Sequence, residues 1–200
     1  MNTDDMLAAL SRGEDEALRR LHTRLADTAA ADGLLDVAYR TVDSPVGPLL
    51  VATTDRGLVR VAYVAEGSDA VLSDLAERIS PRVLERPASL DAVAHELDEY
   101  FGRTRDTFDL ALDLRLATGF RRNVIEHLSH ISYGSTATYA DVARLVDNPN
   151  AVRAVGTACA TNPLPVVVPC HRVVRSDGTA GQYVGGVEAK RTLLELEAAA

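Results

Sequence analysis

The chain has 200 residues, 46% of them hydrophobic, and a formal net charge of -8 at neutral pH. That length supports one large domain or two small ones, and no stretch approaches the roughly 20 consecutive apolar residues of a membrane span. Two cysteines make no disulfide framework, and their Pro, His and Ala neighbours are not a zinc pattern. The acidic start, Met1-Asn2-Thr3-Asp4-Asp5, lacks the basic-then-apolar layout of a secretion signal. A soluble protein of the reducing cytoplasm is expected.

Residues 5–30 read as helical. Leu7, Leu10, Leu18, Leu21 and Leu25 recur at helical spacing. Ser11-Arg12-Gly13 is expected to divide two short helices, and Ala31-Asp32-Gly33 to end the segment. The pattern then changes to period two: Val37, Tyr39 and Thr41 alternate with Ala38, Arg40 and Val42. Ser44-Pro45-Val46-Gly47 is a turn by residue type. Leu49–Ala52 and Leu58–Ala62 are strand-like and joined through Asp55-Arg56-Gly57, a hairpin signal. Two helices follow, near 68–79 and 89–101, so residues 37–110 predict a small α/β unit on an antiparallel sheet.

From Thr118 the pattern is helical again, with Phe120, Val124, Leu128 and Ile131 on one face until Tyr133-Gly134-Ser135. Tyr139–Val146 is a short helix capped by Thr136 or Thr138. Asp147-Asn148-Pro149-Asn150 is a tight turn, and Ala151–Ala160 is a helix poor in bulk. Two short helices joined by a four-residue turn match helix-turn-helix geometry. Pro165-Val166-Val167-Val168 reads as a buried strand ending in Pro169-Cys170-His171-Arg172. A loop with Gly178, Gly181, Gly185 and Gly186 and a final helix near 188–198 complete the chain.

Charge is unevenly spread. Residues 1–117 carry 13 Arg against 22 Asp and Glu; residues 118–175 carry 6 Arg against 3 acids. A phosphate backbone is met by local charge rather than by the chain average, so only the C-terminal part is suited to meet nucleic acid. Cys170 is either a working thiolate or a small core residue that precedes a histidine; only the thiolate attacks carbon. His171 is positioned to take its proton, directly or through a water. Because neighbours on a strand point to opposite faces, the bridged route is expected.

Arg153-Ala154-Val155-Gly156, Asn162-Pro163-Leu164-Pro165, Pro169-Cys170-His171-Arg172-Val173-Val174 and Gly181-Gln182-Tyr183-Val184-Gly185-Gly186 occur in this order. The set closely resembles the O6-alkylguanine-DNA alkyltransferases, over about 118–198; Ser44–Leu49 is similar to that family's N-terminal signature. Residues 1–36, a helical extension, lie outside the family's usual core. For the rest the resemblance implies an α/β fold in two parts: a ribonuclease H-like α/β domain with a small antiparallel sheet (37–117), and a mainly helical, winged or helix-turn-helix-like DNA-binding domain with the reactive cysteine (118–200).

It also implies roles. Cys170 is the alkyl acceptor, and His171 works through a water oriented by Glu197, with Glu195 as a rival. Asn162 joins the DNA-reading helix to the cysteine segment. Arg153 enters the duplex, where Ala154 and Gly156 let the helix approach the minor groove. Tyr139 helps rotate the nucleotide and donates to the leaving guanine, whose negative charge an O–H stabilises. Pro165, Val173, Tyr183, Val184 and Gly185 wall the alkyl pocket. Departures include Arg121 after Phe120, Ile125 near a usual Trp, Ser132 for Pro, and the bulkier Val152 and Thr157. Cys159 matches a packing position. The zinc set of some relatives has no counterpart among His22, His95, His127 and His130, so neither metal nor cofactor is expected.

The expected activity is single-use repair of duplex DNA containing O6-alkylguanine by a cytoplasmic monomer, with no membrane partner. The rivals are a damage sensor without transfer, a regulator using the helix-turn-helix alone, and a cysteine hydrolase. For the last, neither an oxyanion hole nor an Asn or Asp partner for His171 is identifiable in the sequence.

Overall fold

The computed structural model describes residues 3–198, with side chains from Glu16 onward. Helix α1 (Thr3–Ala31) runs unbroken through Ser11-Arg12-Gly13, against the expected division. One interior glycine costs only about 1 kcal/mol relative to alanine, and the flanks are rich in strong helix formers. The helix ends as anticipated, at Gly33 (φ +68). Gly33 N–H donates to Ala30 O and Leu34 N–H to Ala29 O, which satisfies the terminal carbonyls. The leucine face does not enter the core: Leu18, Leu21 and Leu25 are more than half exposed, and Ala26 is the buried residue. Leu7 and Leu10 lie outside the described side chains. Asp27 anchors the helix to Arg86 at 3.0 Å.

Strands β1 (Val37–Val42), β2 (Leu49–Thr54), β3 (Gly57–Tyr63) and β4 (Val83–Glu85) form one sheet in the order β3-β2-β1-β4. The first three pair antiparallel, as the alternation and hairpin residues require. Strand β4 was not anticipated and pairs parallel to β1, so the sheet is mixed. Three residues with no alternating pattern give too little signal to predict. Alternation splits the sheet into two faces. Leu50, Ala52, Val59 and Ala62 pack under helix α2 (Ser68–Arg78), through Val71 and Leu75. Leu49, Val51, Leu58 and Val61 face helix α3 (Asp91–Phe101), and their cluster continues into the C-terminal half to include Cys170 and Tyr183.

That half comprises α4 (Gly119–Leu128), β5 (Ala137–Thr138), α5 (Tyr139–Leu145), α6 (Val152–Ala160), β6 (Val173–Val174) and α7 (Gly186–Ala198). β5 pairs parallel with β6, Ala137 opposite Val173, which puts Tyr139 next to the cysteine segment. The expected strand at 165–168 is absent. Residues 162–169 instead form a buried turn, because Pro163, Pro165 and Pro169 have no N–H to donate to a ladder. Val166 is forced to φ +73, an uncommon value for a β-branched residue. Among the described residues, no helix is long and apolar enough to cross a membrane.

Of the two proposed caps, Thr138 starts α5. Its hydroxyl accepts from Asp141 N–H at 3.1 Å while Asp141 Oδ2 accepts from Thr138 N–H at 2.8 Å. Thr138→Ala should therefore lower stability by about 1 kcal/mol in urea unfolding, without displacing Cys170.

Candidate active site

Asn162 builds the turn that delivers Cys170. Its Oδ1 accepts from Leu164 N–H at 2.9 Å, and its Nδ2 donates to Val168 O at 2.9 Å and to Cys170 Sγ at 3.1 Å. One amide thus closes both ends of a segment whose prolines leave few backbone donors. Pro169 sits at φ -81, ψ 59, the geometry of an inverse γ-turn, and Cys170 N–H donates to Val168 O at 2.8 Å. Cys170-His171-Arg172 then make a single 3-10 turn. The cysteine opens a helical turn rather than ending a strand, so the opposite-face argument for His171 does not apply.

All three residues of that turn are buried, His171 completely. His171 Nε2 lies 2.8 Å from Glu197 Oε1. Arg172 binds both oxygens of the same carboxylate, Nε to Oε2 and Nη2 to Oε1, each at 2.9 Å, and its Nη1 donates to Ile131 O at 2.6 Å. Gly134 N–H adds a longer bond of 3.3 Å to Oε2. Glu195 is exposed on the far side of α7 and pairs with Arg191 at 3.6 Å. Burial alone would raise the Glu197 carboxyl, but the bonds from His171, Arg172 and Tyr100 outweigh it and hold it at about 2. An ionised carboxylate only accepts, so His171 Nε2 carries the hydrogen and Nδ1 keeps the lone pair. Nδ1 is buried and has no partner among the described residues.

Burial pushes the Cys170 thiol up to about 11, against the opposing pull of the Asn162 amide and the Lys190 ammonium. Burial also lowers His171, more than Glu197 raises it, so the imidazole is neutral near neutral pH. The resting site therefore holds a thiol beside a neutral base, with proton transfer still to be made.

The predicted residues do not share one cavity. Tyr139, Arg153 and Gly156 line an open groove of about 670 Å³ with Asn150, Arg175 and Gln182. Arg153 and Ala154 are exposed in the first turn of α6. Val184 and Gly185 instead line a separate cavity of about 240 Å³ with Tyr63 and Pro48. Pro165, Val173 and Tyr183 are buried. Gly185 is closed in by the N-terminal unit, since a Cβ there would meet the Tyr63 ring at 2.2 Å. Cys159 is buried on the inner face of α6. Among the described residues, no group of three His, Cys, Asp or Glu could hold a metal ion.

Several site residues escaped the sequence reading. Lys190 is fully buried one turn into α7 and donates to Val173 O at 2.5 Å. Tyr63 donates to the Tyr183 hydroxyl at 3.2 Å, and burial raises it to about 12. Tyr100 donates to Glu197 Oε1 at 2.7 Å. A helical stripe of Ala189, Lys190, Leu193 and Glu197 is a readable signal, since a lysine in the apolar face of a helix is unusual. Tyr63 and Tyr100 carried none, because their partners are more than 90 residues away in sequence.

Known proteins resemble this chain over most of its length. Residues 119–199 match the 6-O-methylguanine DNA methyltransferase DNA-binding domain, and residues 37–114 match the ribonuclease-like domain of the same proteins. The methylated-DNA–protein-cysteine methyltransferase of Mycobacterium tuberculosis is 36% identical over 173 residues, covering 80% of this chain and 92% of its own. The bifunctional transcriptional activator/DNA repair enzyme Ada of Escherichia coli is 39% identical over 166 residues, covering 82% of this chain and 46% of its own. A crystal structure of the Mycobacterium tuberculosis O6-methylguanine methyltransferase superposes with a TM-score of 0.72 at 36% identity, covering 82% of this chain and 93% of that one. A crystal structure of that bacterium's OGT in complex with DNA gives the same score and identity, covering 81% and 93%. The chain belongs to the O6-methylguanine DNA methyltransferase family.

The Glu197 carboxylate is depressed in the folded state, so its contribution to stability is complete above its ordinary value of 4.5 and is lost as pH falls through about 2. Acid titration of unfolding should show that loss over this window. Glu197→Gln should flatten it, and should cost about 3 kcal/mol at neutral pH by leaving the Arg172 charge buried without its partner.

Proposed function

We propose that this protein repairs O6-alkylguanine in duplex DNA by moving the alkyl group irreversibly onto Cys170, once per molecule. The observation that carries this reading is the buried Cys170 held at 3.1 Å by Asn162, one residue from a histidine tied to an ionised glutamate. The alternative of a damage sensor lacks a use for such a thiol.

Arg153 and the small residues Ala154 and Gly156 on α6 enter the minor groove, and Arg153 fills the gap left by the rotated nucleotide. Tyr139, between the groove and the cysteine segment, assists that rotation. The base then meets the Cys170 and Val173 carbonyls through its amino group, the Val184 N–H through O6, and the Pro165, Tyr183 and Gly185 walls.

The thiol proton passes through a water to His171 Nδ1, whose Nε2 hydrogen is fixed by Glu197. The thiolate attacks the O6-alkyl carbon in line. The C–S bond forms as the C–O6 bond breaks, and the electron pair stays on guanine. Tyr139 donates to the base, and the proton removed from the thiol balances the charge left there. The product is a neutral thioether, which no group in the chain can reverse. The substrate carries its own activated carbon, so no cofactor is needed. Residues 1–36 form an extension, 37–117 the α/β domain and 118–200 the DNA-binding and transfer domain of a monomer. It acts in a reducing cytoplasm, where a free thiol survives.

After incubation with DNA containing O6-methylguanine, mass spectrometry should find one added methyl on the Cys170 peptide and none on the Cys159 peptide. Cys170→Ala should keep DNA affinity and transfer nothing. An unmodified Cys170 beside a reacting control protein overturns the proposal. Arg153→Ala should slow transfer from duplex DNA by about tenfold or more, a loss of roughly 1.4 kcal/mol, and should change the rate with free alkylguanine base little.

A further inference from the structure

Glu197 lies in the last turn of α7, where helix ends fray, so the placement of its carboxylate depends on side-chain donors. Arg172 grips both oxygens. Oε1 takes two further bonds, from His171 at 2.8 Å and from the Tyr100 hydroxyl at 2.7 Å. The same hydroxyl lies 3.5 Å from His171 Nε2. Tyr100 comes from α3 in the N-terminal unit and is completely buried. Its ring is held by Phe101 and Phe108, each with centroids at 5.2 Å, and by Tyr133 at 6.1 Å. Packing therefore fixes where the hydroxyl points. A lone hydroxyl buried in an aromatic cluster is costly unless bonded, and a phenylalanine would fill the same space. The hydroxyl's short bond, at 2.7 Å, is the one to Oε1.

We propose that Tyr100 is a positioning residue for alkyl transfer, its hydroxyl sharing Glu197 Oε1 with His171 and so setting how strongly the carboxylate holds that imidazole. This rests on the reading of Cys170 and His171 as acceptor and base. Burial and the adjacent Glu197 charge keep Tyr100 far above its ordinary value, so it remains a donor. The other charged or titratable groups facing the pair are Arg172 on the cysteine turn, Lys190 on α7, Tyr133 after α4, and Cys170 and Tyr183. None of these is removed by a change at position 100.

The sign follows from competition. With the hydroxyl gone, Oε1 is freer to stabilise a charged His171, and the imidazole becomes more basic. Transfer needs neutral His171, so the acid limb of the rate profile moves to higher pH. The test is the single-turnover rate of methyl transfer to Cys170, followed against pH for wild type, Tyr100→Phe, Glu197→Gln and the double variant, with thermal unfolding of each. Tyr100→Phe should raise the acid inflection by about one pH unit or less, and so slow transfer on the acid limb by up to about tenfold. On the Glu197→Gln background the same change should add little. Fluorotyrosine placed site-specifically at position 100 keeps the hydroxyl as a stronger donor, and should move the inflection the opposite way even if Tyr100→Phe does not fold.

An unchanged inflection in both substituted proteins overturns the proposal, whatever happens to unfolding temperature. So does a full slowing that persists without Glu197. A wild-type protein that leaves Cys170 unalkylated overturns the underlying reading and Tyr100 with it. An active wild type with an unaltered Tyr100→Phe overturns Tyr100 alone.

Discussion

The site depends on the way Asn162 closes a stretch of chain that cannot pair with anything else. Three prolines between 162 and 170 remove backbone donors, and the segment is wholly buried, so the remaining polar groups must be satisfied locally or left at a cost of one to several kcal/mol each. The Asn162 amide answers with three bonds, and the third of them reaches sulfur. The turn is also fixed from outside, because Val61 N–H on the edge of β3 donates to Pro163 O at 2.8 Å. Val166 is strained as a result, and such strain persists only where surrounding structure over-determines the backbone. Once the turn is set, Cys170 has one position, His171 follows it by a third of a helical turn, and α6 ends immediately before Asn162. Helix and thiol are thus coupled through a single side chain.

The electrostatics follow from that burial. Arg172 and Glu197 neutralise each other within the site, whereas Lys190 meets no carboxylate among the described residues and donates to a backbone carbonyl. The surplus positive charge near the thiol works against desolvation, which still dominates and leaves the sulfur protonated at rest. This condition suits the single-use acceptor role proposed for Cys170. A permanently exposed thiolate would be lost to oxidants, whereas a buried thiol with a neutral base is spent only when a substrate completes the path.

Much of this was legible in the sequence. The Leu49–Ala62 hairpin followed from alternation around Asp55-Arg56-Gly57, and α5 and α6 from turn chemistry at 147–150. Of the residues that the resemblance singled out, Asn162 bonds Cys170 and His171 bonds Glu197. What failed, failed for local reasons. Val166-Val167-Val168 has strand composition, yet its flanking prolines decide against a ladder; apolar runs alone do not distinguish a strand from a buried turn. Leu18, Leu21 and Leu25 of α1 keep helical spacing yet stay more than half exposed, and Ala26 is the residue of that stretch that is buried. Tyr63 and Tyr100 read as ordinary core aromatics, since nothing local to a tyrosine says which carboxylate or hydroxyl the fold will bring to it.

Those two tyrosines change the standing of the N-terminal half. Its acidity, 22 acids against 13 Arg over residues 1–117, makes it a poor surface for phosphates and leaves the exposed face of α6 as the better approach. It acts from behind. One face of its sheet continues into the core that holds Cys170, Tyr63 presses on Gly185 and bonds Tyr183, and Tyr100 reaches Glu197. The N-terminal unit thus backs both the Tyr183 loop and the Glu197 ion pair from within the core. The division of labour is therefore between a face that meets the duplex and a scaffold whose hydroxyls finish the site from the opposite side.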